Sequence, residues 1–213
     1  MRRGYWVTGI YFICSLFFVA FPAIAGTDIA LEKPKESVGV DIMKALQMRK
    51  STKSYMAKEI SFGDLSNILW AANGVNREDG KRTAPSSYGQ YYIDLYVLSN
   101  EGVHLYDPVK HNLRLISNEN IKTQIAMQEY VQESPHIILM VSDSTRFHPL
   151  TKNRMAAAYA TAGCIAQNIY LTAGAMNLGT CLVISLEADV IRDKLGLNEN
   201  ETPIFIMPLG YPK

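Results

Sequence analysis

Three cations and two hydroxyls fall within five residues at Arg49-Lys50-Ser51-Thr52-Lys53. Such a run suits a phosphate, because charge-assisted hydrogen bonds are short and strong and an arginine fork holds two oxygens at once. A solvated basic helix end accounts for the same residues, since cations favour helix C-termini. Further along, Gly80-Lys81-Arg82-Thr83-Ala84-Pro85-Ser86-Ser87 is a loop rich in small residues. It can offer backbone donors and acceptors to a flat heteroaromatic ring. Other chemistries find no motif: G-x-G-x-x-G, Walker, H-E-x-x-H, C-x-x-C and G-x-S-x-G patterns are all missing from the sequence. The four histidines (His104, His111, His136 and His148) lack metal spacing, so no metal is expected. No catalytic side-chain constellation can be assigned.

Composition narrows the classes further. The 213 residues are 48% hydrophobic and 19% charged, with 21 Lys and Arg against 20 Asp and Glu. Disordered, collagen-like and disulfide-dense chains do not have this profile. A near-zero charge balance also argues against a nucleic-acid partner. The average conceals an asymmetric start. Arg2 and Arg3 precede an uncharged stretch from Gly4 to Thr27, and Ala23-Ile24-Ala25 lies near its end as a small-x-small pattern. This is the signature of a secretory signal peptide over residues 1–25, cleaved after Ala25 and leading to a periplasmic or extracellular protein. An N-terminal membrane anchor is the alternative. Without residues 1–25 the chain keeps 19 basic and 20 acidic residues and two cysteines, Cys164 and Cys181. These either pair after export or pack as small buried thiols.

The elements that must position these residues alternate along a single domain, residues 41–213, behind a polar leader at 26–40. Asp41 can cap a helix carrying Ile42, Met43, Ala45, Leu46 and Met48, which delivers the chain to the cationic run. Ser61-Phe62-Gly63-Asp64 resembles a capping box for a second helix, with Gly74 as its stop. Alternation at Ile93, Leu95 and Val97 predicts a strand, followed by strands at 103–106 and 113–116. Ser117 is expected to cap a short helix over 118–128. The apolar run from His136 to Val141 suits a central strand buried on both faces. A long Ala- and Gly-rich helix is predicted over 152–177, then a strand at 181–184, a helix at 187–195 and a last strand at 203–209. The class is α+β.

Taken in order, these motifs resemble the nitroreductase family. The carriers are R-K-S-T-K at 49–53, L-x-x-I-L-W-A-A-N-G-V-N-R at 65–77, and G-K-R-T-A-P-S at 80–86. They continue with Ser134-Pro135 before the His136 strand, A-G-x-x-x-Q-N-I-Y-L at 162–171, Leu178-Gly179-Thr180 and the Gly210-Tyr211-Pro212-Lys213 ending. The likeness covers about residues 41–213. It looks closest to short exported members and to the branch that includes peptide-heterocycle dehydrogenases.

The resemblance implies a nitroreductase-like fold, with a central mixed or antiparallel sheet flanked by helices and an intertwined homodimer. It implies FMN as cofactor, with NAD(P)H as a candidate electron donor, although export makes that donor hard to supply. Arg49, Ser51 and Lys53 would hold the phosphate and ribityl chain, with Lys50 adding main chain or charge. Pro85, Ser86 and Ser87 would lie against the flavin of the other subunit. Gln128 would meet the pyrimidine edge, and Val183, Ile184 and Ser185 the region near N5. Lys213 would stand in for the basic arm with which many members continue. No side chain is expected to be catalytic, because the flavin carries the redox chemistry for a small nitroaromatic- or quinone-like acceptor. An exported flavin carrier or scaffold without turnover is the alternative. The lysine-tyrosine pair of heterocycle dehydrogenases has no counterpart here, which weakens an azoline-dehydrogenase reading.

Overall fold

The computed structural model describes residues 28–213. The expected signal peptide, residues 1–25, therefore lies outside the described residues. In chain order the elements are β1 (Ile29–Ala30), α1 (Ile42–Met48), α2 (Phe62–Asn73), β2 (Ile93–Ser99), β3 (Gly102–Asp107), β4 (Asn112–Ser117), α3 (Glu129–Gln132), β5 (His136–Asp143), α4 (Arg154–Ala175), β6 (Gly179–Thr180), α5 (Ala188–Leu195) and β7 (Glu201–Gly210). Short 3-10 turns cover Ser87–Gly89 and Ser144–Arg146.

All seven strands join one antiparallel sheet in the order β1-β4-β3-β2-β5-β7-β6. The only parallel pairing among the described residues is an isolated bridge between Ser51 and Thr180. Strand β5 sits inside the sheet and is buried from His136 to Ser142, as its continuous apolar run predicts. Its side chains alternate between two cores, as the two-residue period of a strand requires. Ile138 and Met140 face α2 and α4, alongside Leu95, Val97, Ile68 and Ile165. Ile137, Leu139 and Val141 face the opposite layer, with Ile121, Ile125 and Ile191.

Both predicted caps form. Asp41 accepts from the Lys44 amide at 3.0 Å and Ser61 from the Asp64 amide at 3.1 Å. Gly74 does end α2, but with φ −73°, so it needs none of glycine's left-handed freedom. The polar leader supplies the edge strand β1 and is then strapped to α2, where Ser66 Oγ donates to the Glu32 carbonyl at 2.6 Å and Asn67 Oδ1 accepts from the Lys35 amide at 2.8 Å.

Proline in an inner strand normally removes a ladder bond. Strand β7 carries two. Pro203 lies beside a register shift opposite Met140 and Val141. Ile206 exchanges both backbone bonds with Val183, so alternate residues 206, 208 and 210 turn away from β5. Pro208 then falls in the gap between that bridge and β6, where no N–H is called for.

Two expectations fail for local reasons. No helix forms over 118–128; α3 is one turn at Glu129–Gln132. The Ser117 and Asn120 side chains accept from the amides of Glu119 and Lys122, both at 3.1 Å, which gives the backbone turns instead of a helix. The strand expected at 181–184 is also absent. The sheet takes Gly179–Thr180 and a single bridge at Val183. Between them Cys181 lies opposite Pro208, which has no N–H to complete the ladder, while the Leu182 amide points away from β7 and donates to the Tyr170 hydroxyl at 2.7 Å.

Candidate functional site

Helix α1 stops at Arg49, whose extended ψ of 120° turns the chain out of the helix. The segment after it is gripped on two sides. The Thr52 amide donates to the Thr180 carbonyl of β6 at 2.8 Å, and the Tyr55 hydroxyl donates back to the Thr52 carbonyl at 2.6 Å. The chain end closes the other side: the Met56 amide donates to the Tyr211 carbonyl at 2.8 Å and the Lys213 amide to the Ser54 carbonyl at 3.2 Å. Gly179 permits the approach to Thr52, since a Cβ there would come within 2.6 Å of that side chain. Burial pushes the phenol of Tyr55 well above its ordinary pKa, so it stays a neutral donor.

This clamp leaves Arg49, Lys50, Ser51 and Lys53 exposed while Thr52 is buried. Among the described residues none of the three cations is paired with a carboxylate. Two of them rest on aromatic faces instead: the Arg49 guanidinium lies 5.4 Å from the Tyr170 ring centroid, and Lys53 Nζ lies 5.7 Å from that of Tyr130. Ser51 Oγ is 3.1 Å from the Tyr170 hydroxyl. The hydroxyls of Thr52 and Thr180 are buried without a hydrogen-bond partner. Beside them, Lys50, Tyr170, Asn177, Thr180 and Pro212 line a cavity of about 300 Å³.

The remaining predicted residues fall into three groups. Gln128 Nε2 donates to Ser185 Oγ at 2.6 Å, which joins two of them, and Gln128 Oε1 is left without a partner. Val183 is buried in the sheet, whereas Ile184 is 68% exposed beside it in sequence. Lys213 reaches Glu133 at 3.6 Å across an exposed surface, so its ammonium is the one predicted cation already engaged. Pro85, Ser86 and Ser87 stand apart. Ser86 Oγ donates to the Gln90 carbonyl, and nearby Tyr92 meets Thr161 at 2.9 Å on the first half of α4. Ser51 meets Tyr170, nine residues further along that helix, which is about 13 Å at 1.5 Å per residue. The two groups therefore make no direct contact with each other among these bonds.

Sequence reasoning gives Tyr170 and Thr180 no role and counts Thr52 only as one of the two hydroxyls of the cationic run. Tyr170 does carry a signal, being a polar aromatic in a run otherwise rich in Ala, Gly and Ile. Cys164 and Cys181 are both free thiols, the second buried. No group of His, Cys, Asp or Glu among the described residues is arranged to hold a metal ion. None of the described helices is long and apolar enough to cross a membrane.

The architecture is thus an α+β domain whose antiparallel sheet is covered on both faces and whose most cationic segment is left without counter-charges. The chain belongs to the nitroreductase family, whose model matches residues 46–211. A nitroreductase-family protein of Methanocaldococcus jannaschii is 29% identical over 182 residues, covering 80% of this chain and 91% of that one. A crystal structure of a nitroreductase-type protein from Ralstonia eutropha JMP134 superposes with a TM-score of 0.84 at 33% identity, covering 90% of this chain and 92% of the other. The NADPH:FMN oxidoreductase of Vibrio harveyi, solved with NAD+, shares the fold at a TM-score of 0.61 and 20% identity, over 81% of this chain and 69% of its own. Family membership supports an FMN-dependent oxidoreductase role at that general level.

Proposed function

We propose that the protein binds FMN at the 49–53 segment and passes electrons through it to a small nitroaromatic- or quinone-like acceptor. The observation that carries this reading is the set of three exposed cations, Arg49, Lys50 and Lys53, left without carboxylates next to an exposed serine hydroxyl. A phosphate site must keep its donors free of carboxylates. The unpartnered oxygens of Thr52, Thr180 and Gln128 also fit a site that is completed by a polar ligand.

In this reading Arg49 and Lys53 bind phosphate oxygens, Ser51 donates to one of them, and Lys50 adds charge from the cavity side. The Gln128 amide, held by Ser185, offers its free oxygen to an N–H on the edge of the ring system. Val183 anchors that segment to the sheet, while exposed Ile184 covers apolar ring surface. Bound FMN supplies hydride acceptance and donation, and the protein contributes binding, orientation and electrostatics. Pro85, Ser86 and Ser87 pack near the opposite half of α4 from Ser51. They fit the reading as a second copy's contribution, in a homodimer packed through exposed Met155 and Tyr159 of α4 and Ile42, Met43 and Leu46 of α1. Lys213 adds its charge once it leaves Glu133. Residues 1–25 direct export in this account, so the reductant outside the cytoplasm need not be NAD(P)H.

Anaerobic reduction of the FMN-loaded protein by NADH or dithionite, followed by a quinone or a nitroaromatic, tests the function. Reoxidation of the flavin with repeated turnover is expected. A flavin that is reduced but passes no electrons to either acceptor contradicts the reading and favours an exported carrier. Reduction of the oxidised flavin by an azoline peptide, which becomes the azole, assigns the protein to the peptide-heterocycle branch instead.

A further inference from the structure

Tyr170 is the one side chain that joins three separate segments at the candidate site. Its ring faces the Arg49 guanidinium at 5.4 Å, and its hydroxyl meets both Ser51 Oγ at 3.1 Å and the Leu182 amide at 2.7 Å. The direction of this chain of bonds is set by its protons. An amide N–H only donates, so the Leu182 amide gives its proton to the phenol oxygen. The phenol has one proton of its own, and Ser51 Oγ is its only other hydrogen-bond partner among the described residues. If Ser51 donated instead, the phenolic proton would be stranded in a half-buried position, at the cost of an unmade hydrogen bond. The arrangement that pairs every proton runs from Leu182 N–H to Tyr170 O–H to Ser51 Oγ. It leaves the Ser51 proton pointing outward, towards the exposed side that carries Arg49 and Lys53.

We propose that Tyr170 is a positioning residue that fixes the Ser51 hydroxyl as a donor to the phosphate of the bound flavin and ties this donor to the 181–185 segment. The inference rests on the reading of Arg49, Ser51 and Lys53 as holders of that phosphate. Each link in a chain of hydrogen bonds polarises the next, so the terminal donor is stronger than an isolated serine. The Leu182 amide is available for this bond because Val183 spends both its backbone groups on Ile206, which turns the Leu182 N–H to the outer edge of the sheet.

The test compares FMN with riboflavin, which has the ring and ribityl chain but no phosphate. Fluorescence titration of the natural protein, Tyr170→Phe, Ser51→Ala and the double variant gives two dissociation constants for each. Tyr170→Phe is expected to weaken FMN binding about tenfold, the size of one charge-assisted bond, and to leave riboflavin within about twofold. Ser51→Ala should show the same phosphate-specific loss. The double variant should lose no more than the weaker single variant, because both act through one bond. Equal losses for FMN and riboflavin, or losses that multiply in the double variant, overturn the proposal. A natural protein that binds no FMN overturns the parent reading instead, and this inference with it.

Should Tyr170→Phe fail to fold, the Leu182 amide reports on the same chain in the natural protein. Its proton resonance should move further on adding FMN than on adding riboflavin, whose ring lies near residues 183–185 as well, and the difference should vanish in Ser51→Ala. An amide that responds alike to both flavins contradicts the proposal.

Discussion

Charged side chains from other segments gather near both ends of α4, and they are paired in different ways. Near its start, Arg146 is held by both Asp94 and Asp143, with a third bond to the Tyr91 carbonyl at 3.0 Å. Tyr92 stacks on Phe147 at 4.0 Å and shares its hydroxyl with Thr161. Arg146 is thus fully engaged by carboxylates and a carbonyl, whereas Arg154 rests on the Phe147 ring at 6.0 Å and the Thr151 hydroxyl is buried without a partner. Near the far end, Arg49, Lys50 and Lys53 have aromatic rings or solvent for neighbours, and the hydroxyls of Thr52 and Thr180 have no partner at all. The contrast lies in the carboxylates: two of them hold Arg146, and among the described residues none meets Arg49, Lys50 or Lys53. In the proposed reading the first cation holds the protein together and the other three are free for a ligand.

The largest effect lies between the two ends and sets the baseline for both. His136 is buried at the start of β5, and burial, reinforced by the nearby ammonium of Lys122, pushes its pKa down to about 4. Glu59 stands 3.6 Å away but is exposed and does not offset this. The unfolded chain titrates near 6.5 and so binds more protons between pH 6.5 and 4. Stability is therefore full above pH 6.5 and falls as the pH drops through that window, by on the order of 3 kcal/mol in total. Thermal melts across this range should show the loss, and His136→Asn should flatten it.

Arg146→Ala comes next, because it strands Asp94 and Asp143 partly buried. A loss of about 2 kcal/mol is expected in urea unfolding, with flavin binding per folded molecule unchanged. Arg49→Ala is the opposite case. Its effect on the stability of the free protein should stay within about 0.5 kcal/mol, while FMN affinity falls about tenfold or more. If Arg49→Ala destabilised the free protein as much as Arg146→Ala, the contrast between the two ends would collapse. The smallest change is Thr180→Val, which replaces an unpartnered hydroxyl by a methyl of similar shape. It should leave the free protein unchanged or slightly more stable, by less than about 1 kcal/mol in the same unfolding assay.

How much of the fold and site is legible in the sequence depends on where each hydrogen bond goes. The α1 and α2 caps, the β2 alternation and the buried run of β5 are legible because period and capping act within a few residues. The cationic run is legible because its residue types are unusual in so neutral a chain. The 118–128 segment reads as a helix because Ser117 and Asn120 signal a helix start and a turn equally well, and in the structure the turn wins. The 181–184 segment reads as a strand because its apolar pattern is right, while the proline that interrupts its ladder, Pro208, lies on another element. The separation of Pro85–Ser87 from Arg49 also depends on tertiary distance, since both groups pack on one helix that is longer than any single ligand contact.

FMN uptake by the purified protein is the most direct test of the central claim. The protein is expected to turn yellow on addition of FMN, to keep the flavin through ultrafiltration, and to release it into the filtrate when Arg49 is replaced by alanine. A natural protein that stays colourless with added FMN contradicts the account, and so does an Arg49→Ala variant that retains the flavin as tightly.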